Sequence, residues 1–279
     1  VPDVSRKQLR SALALQRAVF ADKLYPRFRD LLKGTLARQL RDYTQSSKPE
    51  IGVELRKQWA REIASALKRP IFAMVAHGWS LATEEFQGNS FAGKAVVGGV
   101  NIGEAPQDFL TKADFGKIDK WIAQTSESAS ATTSSRLENI FKRAASSYDE
   151  EKQKGITPRE IADEILNAGM VQSEARAKML AHTGSMWSYN EGATQRYQSE
   201  GVAVVEWLTA DDDMRCPFCA EMNGKRIETG EPFFRSGDVF SHEDRTLKIP
   251  TGARGFDVRH PPLHPNCRCT LVPIFEEDL

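Results

Sequence analysis

Four cysteines and one histidine carry the chemistry this sequence can do. Cys216-Pro217-Phe218-Cys219 is a C-x₂-C string, and 47 residues separate it from Cys267-Arg268-Cys269. His264 stands three residues before Cys267. Two paired sets of thiols, one of them on a tight knuckle, have the spacing from which a tetrahedral Zn²⁺ site is built. A C-x₂-C turn aims both sulfurs at one point, and a second pair from a distant segment closes the tetrahedron. If 267–269 is extended, Cys267 and Cys269 share one face, and His264 is able to replace either as a ligand. Two other fates fit four cysteines. They can pack as reduced thiols, because free Cys is among the most buried residue types, or they can pair as disulfides, which a cytosolic product disfavours.

Enzyme readings of the same residues meet obstacles. A redox dithiol needs a helix opening at the motif, and Ala220–Lys225 is too short for one before the Asn223-Gly224 turn. A zinc deaminase needs H-x-E upstream of P-C-x-x-C, whereas His242-Glu243 lies downstream. His264-Pro265-Asn266-Cys267 invites a metal-nuclease reading in which the fold would bring His242 and His260 to His264. The chain has no Walker A loop, G-x-G-x-x-G, H-E-x-x-H or G-x-S-x-G.

The elements that must position these residues are mostly helical. Leu9, Leu13, Phe20 and Leu24 recur at helical spacing, and Phe28, Leu31, Leu32, Leu36, Leu40 and Tyr43 follow after Pro26. Trp59, Ile63 and Leu67 mark one face of a helix over 51–87. A break or kink is expected near Pro70, with Phe72, Val75, Trp79 and Leu81 beyond it. Residues 88–106 hold five Gly and no helical period, so a linker is expected there. Ile118, Trp121 and Ile122 mark one helix; Leu137, Ile140, Phe141 and Ala144 mark another after a Ser/Thr-rich turn at 126–135. Thr157-Pro158-Arg159-Glu160 opens a helix bearing Ile161, Ile165 and Leu166 that Gly169 ends, and Ser173 caps a long helix over 173–199. Val202–Leu208 reads as a strand, and the remainder as short strands and loops. The expected class is α+β: a mostly helical N-terminal two-thirds, then a small, loop-rich, Cys-containing α+β end. The expected divisions are 1–90, an irregular segment at 91–112, and 113–279, with the helices of the last at 113–200 and its Cys-rich end at 201–279.

Charge sets limits on partners. Among 279 residues, 38 Lys and Arg balance 38 Asp and Glu. Bulk coating of nucleic acid needs a clear basic excess and is excluded. The balance is uneven along the chain: +6 over 1–50, −1 over 51–200 and −5 over 201–279. The basic end is either a solvated helix face or a surface for an acidic partner such as DNA. No apolar run approaches the roughly 20 residues of a membrane span. The N-terminus has no apolar signal region and no start Met, as in a trimmed or processed chain.

The residues from about 115 to 275 resemble the Mu-F-like minor head proteins of tailed bacteriophages. The strings that carry the resemblance are Arg176-Ala177, Thr183, Asn190 and Gly192; then Gly201-Val202, Trp207 and Asp213-Met214-Arg215-Cys216-Pro217-Phe218-Cys219; then Asn223-Gly224-Lys225 and Pro261-Pro262-Leu263-His264-Pro265-Asn266-Cys267-Arg268-Cys269. Where that family has Arg-Thr-Glu, this chain has His182-Thr183-Gly184, so no role of that Arg or Glu carries over. Thr183 and Asn190 are seven apart and share a helix face. They are expected either to bond to the β-rich end, near Trp207 or Asp213, or to pack as buried polar residues.

The resemblance implies an assembly role without catalysis. It implies association with the portal protein inside the procapsid near the packaging vertex, and an influence on DNA packaging or ejection. Capsid or scaffolding proteins and packaged DNA are further expected partners, and a membrane is not. Some relatives carry a fused toxin; none is expected here, because the motif ends close to Leu279.

Overall fold

The computed structural model describes residues 29–39, 41–42, 52–86, 107–146, 158–210, 215–251 and 255–275. Its elements run α1 (29–39), α2 (Val53–Phe86), α3 (Gln107–Lys112), α4 (Phe115–Ser146), α5 (Pro158–Ser199), β1 (Val204–Leu208), α6 (Pro217–Met222), β2 (Arg226–Glu228), β3 (Val239–His242), β4 (Arg245–Lys248) and β5 (Thr270–Ile274). Helices make up the N-terminal part of the sequence and small antiparallel sheets belong to the C-terminal part, so the fold is α+β, and all four cysteines lie in the C-terminal part. Expectations for residues 1–28 and 88–106, and for the side chains of Leu40, Leu81, Leu137, Ile140, Phe141, Ile161, Ile165 and Leu166, lie outside the described residues.

The chain divides into two compact units that are not contiguous in sequence. One, here the helical unit, draws on Pro26–Arg69 and Asp119–Ala181. Trp59, Ile63 and Leu67, at i, i+4 and i+8, present one apolar stripe and are fully buried. Leu32 and Leu36 of α1 join this core, as do Trp121 and Ile122 of α4. Buried Gln39 donates to the Trp59 carbonyl (3.2 Å) and to Glu62 (3.1 Å).

The expected Ser/Thr-rich turn at 126–135 is instead the middle of α4. Five of its hydroxyls find partners without unwinding the helix. Ser126, Thr132, Thr133 and Ser134 donate to carbonyls four residues earlier, at 2.7, 2.8, 2.9 and 3.0 Å. Ser130 donates to the Arg56 carbonyl at 2.7 Å.

α2 is not broken at Pro70 but carries it inside the helix, with Leu67 before it and Ile71 after it fully buried. A further expected break is absent. α5 runs through Gly169 and Ser173 without ending or capping. A glycine inside a helix costs only about 1 kcal/mol relative to alanine, too little to end a helix by itself. α5 stops at Gly201, whose φ of +74° suits glycine. Val202 N–H donates to Tyr197 (3.0 Å) and Gly201 N–H to Gln198 (3.2 Å), the paired bonds of a Schellman cap.

The second, mixed unit draws on Pro70–Ile118 and His182–Leu279. Its sheet has the order β2-β1-β5, all antiparallel, with Trp207 opposite Leu271 and Glu206 opposite Arg226. The Glu206–Arg226 pair closes at 2.8 Å. β3 and β4 form a separate hairpin. One core unites Tyr189, Ala193 and Tyr197 of α5 with Val205, Trp207, Met222, Phe240, Leu263 and Leu271. α3 occupies the end of the segment expected to be irregular. Its Asp108 accepts from Trp79 Nε1 (3.1 Å) and from Arg196 (2.5 Å), and Phe109 packs edge-on to Trp79 at 5.7 Å.

Within this unit the end of α2 and the end of α5 cross closely. A Cβ on Gly78 would overlap the Tyr189 carbonyl, and one on Gly192 would overlap the Val75 carbonyl and stand 2.8 Å from Trp79 N. Those obstacles are backbone and cannot swing away. Gly192→Ala is therefore expected to destabilise the protein by about 1–3 kcal/mol in denaturant unfolding. Gly34→Ala, whose Cβ meets only the Arg38 side chain at 3.8 Å, is expected to be neutral or to stabilise by up to about 1 kcal/mol. Equal effects at the two sites would contradict the close crossing.

Candidate metal centre

Two short turns bring the ligand-type side chains together, each offering its first and fourth residues. The first turn opens α6. Cys216 caps it with extended backbone, Pro217 stands at the first helical position, and Ala220 N–H donates to the Cys216 carbonyl at 2.9 Å. The Cys219 N–H donates to Cys216 Sγ at 3.3 Å. A helix does open at the motif, over Pro217–Met222 and ending before the Asn223-Gly224 turn, because cap and proline pre-set its first turn. The second turn is His264-Pro265-Asn266-Cys267, closed by Cys267 N–H to the His264 carbonyl at 3.1 Å. Asn266 has φ +61°. Pro at the second position and a left-handed Asn at the third are the residues a type II turn requires.

His264 Nε2 lies 3.0 Å from Cys216 Sγ and 3.1 Å from Cys219 Sγ, and Cys219 Sγ lies 3.7 Å from Cys267 Sγ. Cys216, Cys219 and His264 form one group whose ligand atoms lie within 4.8 Å of one another; Cys219, Cys267 and Cys269 form a second, with Cys219 common to both. Either group could hold a metal ion. All four cysteines are unpaired in disulfides, and all but Cys216 are buried.

The electrostatics of the sulfurs are unfavourable for several charges at once. Burial alone would raise Cys267, but hydrogen bonds with Cys219 and Cys269 and the nearby charge of His264 hold it well below the usual thiol range. Cys219 is driven far up, first by its thiol bonds to Cys267 and Cys269 and then by burial. Charge on one of these sulfurs disfavours charge on its buried neighbours. A bound cation lifts that restriction, because a coordinating thiol is deprotonated outright.

α5 holds the ligand-bearing segment on both sides. Thr183 Oγ1 accepts from Asn266 N–H at 3.2 Å. Asn190 donates to the Met186 and Cys269 carbonyls (2.9 and 3.2 Å) and accepts from Thr270 Oγ1 and Leu271 N–H (2.9 and 3.1 Å). The pair thus faces the cysteine loop and the start of β5. Trp207 is fully buried in β1, edge-on to Phe233 at 5.0 Å. Arg176 is half-buried in the helical unit. Asp213 lies outside the described residues.

The histidines do not gather. His242 Nδ1 meets Glu221 at 2.8 Å. His260 is buried between the Glu191 carboxylate (2.7 Å) and the Pro261 carbonyl (2.6 Å). Neither belongs to a metal-capable group among the described residues.

Glu191 and His260 form an ion pair the sequence reading missed. The available signal was the run Gly184–Tyr197, buried on every side. Its small and polar residues with few charges mark a helix enclosed all round rather than amphipathic. Burial pushes Glu191 up, but the hydrogen bond and charge of His260, the Gln195 hydrogen bond and Lys117 together outweigh it and lower its pKa.

Comparison with known proteins places residues 145–272, just under half of the chain, in a match to the family model described as Phage Mu protein F like protein. No curated protein and no solved structure matches the chain.

The Glu191 pair predicts a pH dependence. Its folded pKa lies below the ordinary 4.5. Its contribution is therefore complete above that value and is lost as pH falls through the lowered one. Glu191→Gln is expected to lower unfolding free energy by roughly 3 kcal/mol near neutrality, with the gap to wild type closing in acid. A gap independent of pH would contradict an ionised Glu191.

Proposed function

From the premise that residues 145–272 form a Phage Mu protein F like segment, we propose that this protein is a head morphogenesis protein of a tailed bacteriophage. It joins the portal within the procapsid, near the packaging vertex, and supports DNA packaging or ejection. The match at 145–272 carries the reading, because it covers the strings at Arg176–Gly192, Gly201–Cys219 and Pro261–Cys269. Other head components, capsid or scaffolding proteins and packaged DNA, are the further partners. No described helix is long and apolar enough to cross a membrane.

The cysteine–histidine cluster enters this reading as a structural clamp for a metal, zinc by its donor set. A small, loop-rich end gains stability when an ion ties its turns together. No turnover is assigned to it. A zinc hydrolase built on His242, His260 and His264 needs three converging rings, whereas these rings engage Glu221, Glu191 and the cysteines separately.

Charge supplies the docking assignment: residues 1–50 carry +6 and suit an acidic surface on the portal. Co-expressed with the portal protein of the same phage, the full chain is expected to co-purify with portal rings. Deleting residues 1–50 should weaken that capture and its salt dependence. Absence of capture would sink the portal reading; capture unchanged by the deletion would remove only the basic segment from the interface.

A further inference from the structure

We propose that this protein binds one zinc-type ion through Cys216, Cys219, His264 and Cys267, with Cys269 outside the coordination shell. This rests on reading the cluster as a metal clamp, and it names the ligands. The two turns are alike in what they present. The opening turn of α6 offers Cys216 and Cys219, and the type II turn offers His264 and Cys267, each pair being the first and fourth residues of a turn closed by a backbone hydrogen bond. Two such knuckles facing each other supply four donors to one point.

The tautomer of His264 supports its place among them. Its Nδ1 lies 2.8 Å from the Pro265 carbonyl. A carbonyl only accepts, so Nδ1 donates there, and Nε2 is the nitrogen left facing Cys216 and Cys219, placed to coordinate when it gives up any proton. A backbone carbonyl on the far nitrogen is the usual device for orienting a metal-binding imidazole. The Cys219–Cys267 separation of 3.7 Å matches the roughly 3.8 Å between two sulfurs bound at about 2.3 Å to one tetrahedral ion. The His264–sulfur distances of 3.0 and 3.1 Å are shorter than the roughly 3.5 Å a shared ion requires, so entry of the ion spreads the knuckles slightly.

Cys269 Sγ lies near Cys219 and Cys267, but its backbone is held from the other side. Its carbonyl accepts from Asn190, and the next residue begins β5. The strand, not the turn, sets its position. A nitrogen and three sulfurs are a donor set for zinc rather than for magnesium or calcium. Four protein donors leave no open position, which marks a structural site. Three thiolates around a divalent ion leave one net negative charge, and Arg215 and Arg268 line the same recess.

The test is metal content of the full chain purified from zinc-supplemented culture. Wild type is expected to hold about one zinc per chain. Cys216→Ser, Cys219→Ser, His264→Ala and Cys267→Ser should each retain less than about a fifth of that, and Cys269→Ser should retain it in full. Wild type without metal overturns the site. Loss of the ion in Cys269→Ser, or its retention in His264→Ala, overturns the ligand assignment. Cobalt-loaded wild type gives a readout that needs no variant to fold: thiolate charge-transfer absorbance scaled to three sulfurs supports the set, and to four refutes it. These measurements use the isolated chain, so their failure is distinct from a failure of portal capture.

Discussion

The mixed unit depends on one fully buried side-chain amide. Asn190 uses both amide hydrogens and both acceptor positions of its oxygen. One donor bond returns to its own helix at Met186; the other three contacts reach Cys269, Thr270 and Leu271. Without it the buried Leu271 N–H would lose this partner, and an unsatisfied buried polar group costs about 1–3 kcal/mol. The amide therefore fixes where β5 starts. β5 in turn fixes β1, because Leu271 pairs with Trp207, and the residues just before β5 carry the cysteine loop.

Three consecutive residues of α5 serve three different neighbours. Successive helical positions point about 100° apart. Asn190 accordingly meets β5, Glu191 meets His260, and Gly192 admits the backbone of α2 at Val75 and Trp79. That arrangement is the physical content of the Asn-x-Gly string. It requires a helix enclosed on every side, which Gly184–Tyr197 provides. Two turns earlier on the Asn190 face, Thr183 bonds to Asn266. α5 thus grips the loop both before and after Cys267. A metal at the paired turns would tie that loop to α6, completing a path from helix to sheet to knuckle.

Much of this was legible in residue types and spacing. The Trp59, Ile63 and Leu67 stripe lies in a core because its period is helical. The α+β class follows from the switch at Val202 from helical periodicity to β-branched residues. The cysteine spacing named the candidate ligands, and the seven-residue interval placed Thr183 and Asn190 on one face. Their partners were not legible, because Asn266 and Cys269–Leu271 lie about 80 residues further along and no local pattern encodes such pairing. The expected breaks at 126–135, Gly169 and Ser173 failed for the opposite reason. Ser, Thr and Gly disfavour helix by well under or about 1 kcal/mol each, and tertiary packing and back-bonded hydroxyls override that. The choice between His264 and Cys269 as ligand also turns on geometry: a type II turn directs His264, while strand β5 and Asn190 hold Cys269.

The central claim is that Asn190 fastens the cysteine loop and β5 to α5 as one cooperative piece. Native-state hydrogen exchange at the Leu271 amide, whose partner is the Asn190 oxygen at 3.1 Å, tests it most directly. Leu271 is expected to exchange only through global unfolding in wild type, and at least about a hundredfold faster in Asn190→Ala. Rapid exchange by local fraying in wild type, or an unchanged rate in the variant, would contradict the account.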